Sequence, residues 1–140
     1  MYVFKTKEKS QTNPLETAEQ EYFTHMVRKK YPDLLWFHPA NESKSTARYR
    51  SLMANRGLLP GISDIVILTP GHAHQCGLIE LKRRNGVMSD LSDVQKEILR
   101  KNAELGHYSA VAFGVVCAMD ALEFYLTGKT SSGLSNPNTV

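Results

Sequence analysis

The residues in this 140-residue chain that first suggest chemistry are Asp64, Glu80 and Lys82, all within GISDIVILTPGHAHQCGLIELKRR from Gly61 to Arg84. The stretch reads as two apolar strands, near residues 62–68 and 76–82, joined by a polar loop marked by Gly and Pro. A hairpin centred on His72 would set Asp64 opposite Glu80, and a bulge would shift that pairing by one residue. Like charges facing each other destabilise a ladder, and Asp and Glu are depleted in strands. By the period of two, Leu78, Glu80 and Lys82 share one face while Ile79 and Leu81 point to the other. Two carboxylates and an ammonium thus converge on an apolar hairpin, and a hard divalent cation held by the carboxylates is the simplest compensating charge. A plainer reading stands beside it: Glu80 and Lys82 form an exposed same-face pair, and Asp64 merely precedes its strand.

The elements that must position these residues read coarsely as α-β-α-β-β-α-β-α. The first helix is expected over residues 14–31, with Asn13 as N-cap, Pro14 at N1 and Glu16 at N3 of a capping box. Its apolar stripe reads Leu15, Ala18, Tyr22 and Met26, widened by Phe23 and Val27. LLWFH reads as a short buried strand, and a second helix over residues 43–55 stops at Gly57. Ser92 with Gln95 three residues on opens a further helix ending at Gly106. The apolar run YSAVAFGVV reads as a central strand, and MDALEFYLTG as a closing helix. The expected organisation is an N-terminal extension over residues 1–12, one domain over 13–128, and a polar disordered tail over 129–140.

Composition narrows the function classes. The apolar and charged fractions are those of a globular protein, with no apolar run long enough for a membrane span and no signal-peptide core. Cys76 and Cys117 stand apart, and His25, His38, His72, His74 and His107 show no shared metal-ligand spacing. The expectation is a cytoplasmic protein with reduced thiols. A net charge of +3 is compatible with a polyanionic partner.

GLLPGISDIVI followed by GLIELKRR resembles the signature of the PD-(D/E)XK nucleases, and specifically the VRR-NUC domain family. Further pieces follow in order: ETAEQ resembles the family's opening helix and FHPANES its PN segment. SDVQKEIL carries its Gln, and GHYSAVAFG and DALEFYL resemble its closing strand and helix. The likeness runs from about Glu16 to Leu126. Ser63 departs from the usual residue before the Asp, and Ala40 intrudes between Pro39 and Asn41, but neither removes a ligand.

The resemblance implies a restriction-endonuclease-like α/β fold, a central mixed sheet of about four strands flanked by helices. It implies Mg²⁺- or Mn²⁺-dependent hydrolysis of DNA phosphodiesters. Asp64, Glu80 and the carbonyl of Leu81 would bind the metal, and Lys82 would orient water and stabilise developing charge. Glu16 would act as the helix glutamate, either through water or on a second ion. A capping box accounts for Glu16 equally well, and Glu19 is a rival. Gln95 would position Lys82 or phosphate, though it too can be read as the N3 partner of Ser92.

Phosphate contacts are expected from the basic residues that flank the site: Lys44, Arg48, Arg50 and Arg56 before it, Arg83 and Arg84 after it. The family likeness points to a structure-directed endonuclease resembling Holliday-junction resolvases, acting on branched DNA as a homodimer. A monomeric flap or nicking nuclease, or a catalytically silent DNA-binding module of the same fold, are the alternatives.

Overall fold

Two short runs of mainly apolar residues build the hairpin in the expected register. Strand β3 (Ile65–Ile67) pairs antiparallel with β4 (Gly77–Lys82), and Ile65 faces Ile79, Val66 faces Leu78 and Ile67 faces Gly77. In this computed structural model the described residues are 1–39, 46–135 and 137–140. Among them six strands form one mixed sheet in the order β2-β3-β4-β5-β1-β6, so the fold class is the expected one with two more strands than expected.

Both additional strands come from segments that composition assigns to an extension and a tail. Strand β1 (Tyr2–Phe4) pairs parallel with β5 (Tyr108–Phe113), and β6 (Asn138–Thr139) pairs antiparallel with β1. The tail is fastened to the helix beside it: Ser132 and Ser135 donate to the buried Asp120 carboxylate at 2.8 and 2.5 Å. Side chains that look like mere solvating polarity satisfy a buried charge instead.

The YSAVAF run is the central strand. β5 pairs parallel with β4 on one side and β1 on the other, and all six of its residues are buried. Helices α1 (Glu16–Lys30) and α4 (Val115–Thr127) cover one face of the sheet, where Ile65, Ile79, Leu81, Ala110 and Ala112 pack with Phe23, Val27 and Leu122. Helix α3 (Asp93–Glu104) covers the other, where Leu78, Val111 and Phe113 pack with Leu91 and Leu99. Alternation along β4 therefore aims Glu80 and Lys82 toward the α3 side.

Four local expectations are corrected. Helix α1 begins at Glu16 with Leu15 as N-cap and no capping side chain, so Glu16 is the first helical residue and belongs to no capping box. Asn13 instead accepts hydrogen bonds from Arg83 and from the Asn85 N–H, which hold it on the loop after β4. The buried stripe of α1 is Glu19, Phe23 and Val27, while Leu15, Tyr22 and Met26 are exposed; a paired charge, not an apolar residue, occupies the innermost first turn. LLWFH contributes only the edge strand β2 (Trp36–Phe37), with Phe37 exposed. Helix α2 (Ala47–Asn55) opens at Thr46, whose hydroxyl accepts from the Tyr49 N–H.

Candidate metal centre

The β3–β4 ladder ends where the charges begin. Asp64 is the residue before β3, and its Oδ2 accepts the Leu81 N–H at 2.9 Å, so a side chain takes the bond a continuing strand would have made. The Leu81 N–H and carbonyl point to the same edge of β4, which sets that carbonyl on the side of Asp64. One residue earlier Glu80 points into the sheet–α3 interface and is 1% exposed; one residue later Lys82 is 7% exposed. The plainer reading of an exposed Glu–Lys pair is thereby excluded.

Glu16 completes the cluster from the start of α1. One carboxylate oxygen from each of Glu16, Asp64 and Glu80 lies within 4.8 Å of the others. Lys82 Nζ sits 3.4 Å from Glu80 Oε1 and 3.8 Å from Glu16 Oε1. Gln95, at N3 of α3, does two things. It closes the expected capping box with Ser92, and its side chain reaches the site. Its Nε2 donates to Glu80 Oε1 at 2.8 Å, while its Oε1 accepts from Lys82 Nζ at 3.3 Å and from the Ser92 N–H at 2.9 Å.

The electrostatics follow from crowding in a dry setting. Burial, then the neighbouring Asp64 carboxylate, push the Glu80 carboxyl up to about 9. Burial likewise raises Asp64 and Glu16, against the lowering influence of Lys82 on both. Three carboxylates this close cannot all ionise beside a single ammonium without further positive charge. Glu80 Oε2 is buried and has no hydrogen-bond partner among the described residues. Such an orphaned anionic oxygen, on a side chain clustered with two other carboxylates, fits the donor set of a hard divalent cation.

Of the residues singled out from sequence, the fold brings together Glu16, Asp64, Glu80, Leu81, Lys82 and Gln95. It separates Glu16 from its rival: Glu19 is wholly buried, pairs with Arg84 Nε at 2.6 Å and accepts the Val115 N–H at 2.5 Å. Arg84 also donates to Thr12 Oγ1, and Arg83 donates to the Pro14 and Asn13 carbonyls. Both guanidinium groups thus fasten the chain around the start of α1 onto the end of β4. Arg48, Arg50 and Arg56 lie exposed on α2 or at its C-cap, and Lys44 falls outside the described residues.

Sequence reading passes over two neighbours. His38 Nδ1 donates to the Asp64 carbonyl at 2.6 Å, bracing the backbone of that residue from just after β2; its place in FHPANES was the available signal. Asp90, in the turn Met88–Asp90, adds negative potential at Glu16, and no spacing in the sequence indicates it.

Comparison with known proteins gives the fold an independent match. No family model matches the sequence, and no curated protein matches it. A solved structure described as a "VRR_NUC domain protein" superposes with a TM-score of 0.66 at 18% identity, covering 89% of this chain and 98% of that one. The likeness is one of fold, spanning nearly the whole of both chains.

Proposed function

We propose that the chain is a divalent-metal-dependent nuclease that hydrolyses DNA phosphodiesters, with Asp64, Glu80, Lys82, Glu16 and Gln95 as its working residues. The observation that carries this reading is the buried, unpartnered Glu80 Oε2 within a cluster of three carboxylates, an ammonium 3.4 Å from that same side chain. The fold shared with a VRR_NUC domain protein agrees with it.

Asp64, Glu80 and the Leu81 carbonyl would hold Mg²⁺ or Mn²⁺, with Glu16 at the open side. When bound, the ion polarises a phosphoryl oxygen and lowers the pKa of water. Lys82 then has two tasks open to it. Its ammonium can donate to a phosphate oxygen, and it can orient the attacking water, since Gln95 Oε1 and Glu80 Oε1 fix where its protons point. Gln95 keeps Glu80 Oε1 turned toward the amide, which leaves Oε2 as the ligand atom. His38 and the Leu81 N–H together hold Asp64 by its backbone and its carboxylate.

Two such sites on a symmetric pair of chains would suit a four-way junction, so the substrate we favour is branched DNA cut by a homodimer. Labelled four-way, flapped and linear DNA incubated with Mg²⁺, Mn²⁺ or chelator supply the test. Cleavage of none of them in either metal would remove the assignment. Flap cleavage by a monomer, as judged by sedimentation, would keep the nuclease and discard paired resolution. Among the described residues no helix is long and apolar enough to cross a membrane.

A further inference from the structure

Helix α2 is the one described helix that contributes no residue to either core: nothing on it is buried. It nevertheless carries large apolar groups. Tyr49 is 50% exposed and Leu52 44%, and with Arg56 they fall at i, i+3 and i+7, on one face of the helix. Arg48 lies one helical turn before Leu52 and is exposed. From Thr46 to Gly61 the chain has three arginines and no carboxylate. The segment that follows α2 returns to the proposed catalytic centre at Gly61. A Cβ on Gly61 would lie 2.5 Å from Val94 Cγ1 and 3.2 Å from the Gln95 N, so the backbone there packs directly on the start of α3, three residues before Asp64.

A second copy of this chain is a poor occupant for that face. A two-fold contact sets the same patch against itself, and here would bring the exposed Arg48 and Arg56 of the two copies together. An exposed aromatic ring flanked by guanidinium groups has the opposite character: it suits a polyanion that also offers flat apolar rings. Duplex DNA buries those rings in its own stack, whereas single-stranded DNA presents them.

We propose that the outer face of α2 is a binding surface for unpaired nucleotides, with Tyr49 stacking on a base, Leu52 packing beside it, and Arg48 and Arg56 on the flanking phosphates. The inference rests on the nuclease reading and, within branched DNA, favours flapped or forked substrates with a single-stranded stretch next to the cleaved bond over the fully paired four-way junction.

The experiment measures binding with chelator present, so that cleavage does not enter. Fluorescence anisotropy is followed for a single strand, a forked duplex and a blunt duplex of equal length. The wild type is expected to favour the first two. Tyr49→Ala should lose about tenfold on the single strand and the fork, the size of one lost base stack, and little on the blunt duplex. Tyr49→Phe keeps the ring and should keep the affinity. Arg48→Gln and Arg56→Gln should weaken all three complexes and flatten their salt dependence. Equal affinity of wild type and Tyr49→Ala for the single strand would overturn the proposal, as would a wild type that binds no single strand. So would a Tyr49→Ala protein whose sole change, by sedimentation, is dissociation of a dimer. Tyr49-dependent binding without metal-dependent cleavage would uphold this surface and sink the nuclease; cleavage with Tyr49-independent binding would do the reverse.

Discussion

Gln95 donates its amide to Glu80 Oε1 at 2.8 Å and accepts from Lys82 Nζ at 3.3 Å, so one side chain holds the buried carboxylate and the ammonium together. The Ser92 hydroxyl bonds the Gln95 backbone N–H, and that cap survives loss of the side chain. Gln95→Ala should therefore leave α3 capped while freeing both groups. Losing an outer partner of this kind costs about 10–100-fold in metal affinity or activity. Cleavage rates across a Mn²⁺ titration give the check; unchanged rate and metal midpoint would reduce Gln95 to a capping residue.

Lys82 shares the carboxylate face but, while protonated, has no lone pair for a metal. Lys82→Ala should abolish cleavage, a fall of roughly 10²–10⁴-fold, yet retain the rise in melting temperature on adding Mn²⁺. Near-normal turnover in this variant would take Lys82 out of the mechanism.

Glu16 and Glu19 sit three residues apart and do different things. Glu16 is half-exposed at the mouth of the cluster, so Glu16→Gln should lower activity with little change in stability. Glu19 is a buried charge holding Arg84 and the first N–H of α4, and Glu19→Gln leaves the guanidinium without its counter-charge. Breaking such a pair costs on the order of 3–5 kcal/mol, tempered here because Arg84 keeps some contact with water. Urea melts and cleavage at matched folded fraction separate the two. The reverse assignment, a stable inactive Glu19→Gln beside a destabilised active Glu16→Gln, would contradict this geometry.

The hairpin was legible because two short-range rules act together on it. A turn centred on His72 and side-chain alternation fix the register, and with it the meeting of Asp64 with the Leu81 N–H beside Glu80. Gln95 was legible for a related reason: the capping box fixes where α3 starts, and hence which way N3 points. The capping-box alternative for Glu16 could not be dismissed from sequence, because nothing local tells that Asn13 is taken by Arg83 and Asn85, some 70 residues away. The acceptors of Arg83 and Arg84 were illegible for the same reason, since they lie on the segment before α1 and on α1 itself. Strands β1 and β6 are three and two residues long and owe their existence to a neighbour already in place, which no period in so short a stretch can announce.

The crowded carboxylates make the fold's stability depend on pH and metal in opposite senses. Glu80 has an ordinary carboxyl pKa in the unfolded chain and one near 9 in the fold, raised by burial and then by Asp64. A raised acid binds its proton more tightly when folded, so its contribution is fully present below about pH 4.5 and is lost as pH climbs toward 9. Asp64 and Glu16 are shifted in the same direction by burial and add to the trend. In chelator, the melting temperature should therefore fall between about pH 5.5 and 8.5 more steeply in the wild type than in Glu80→Gln or Asp64→Asn. At the upper end the two variants should match or exceed the wild type, because each removes a charge that the native state struggles to hold. Metal acts the other way. The ligands bind it as carboxylates, so Mg²⁺ or Mn²⁺ should stabilise the wild type more as pH rises, the variants much less, and cleavage should vanish in both. Thermal melts of the three proteins at several pH values, with chelator and with metal, read all of this at once. Suppose both substitutions lowered the melting temperature at pH 8 in chelator and left the response to metal intact. The two carboxylates would then be partners of Lys82 and Gln95 alone, and the ion would have to bind elsewhere.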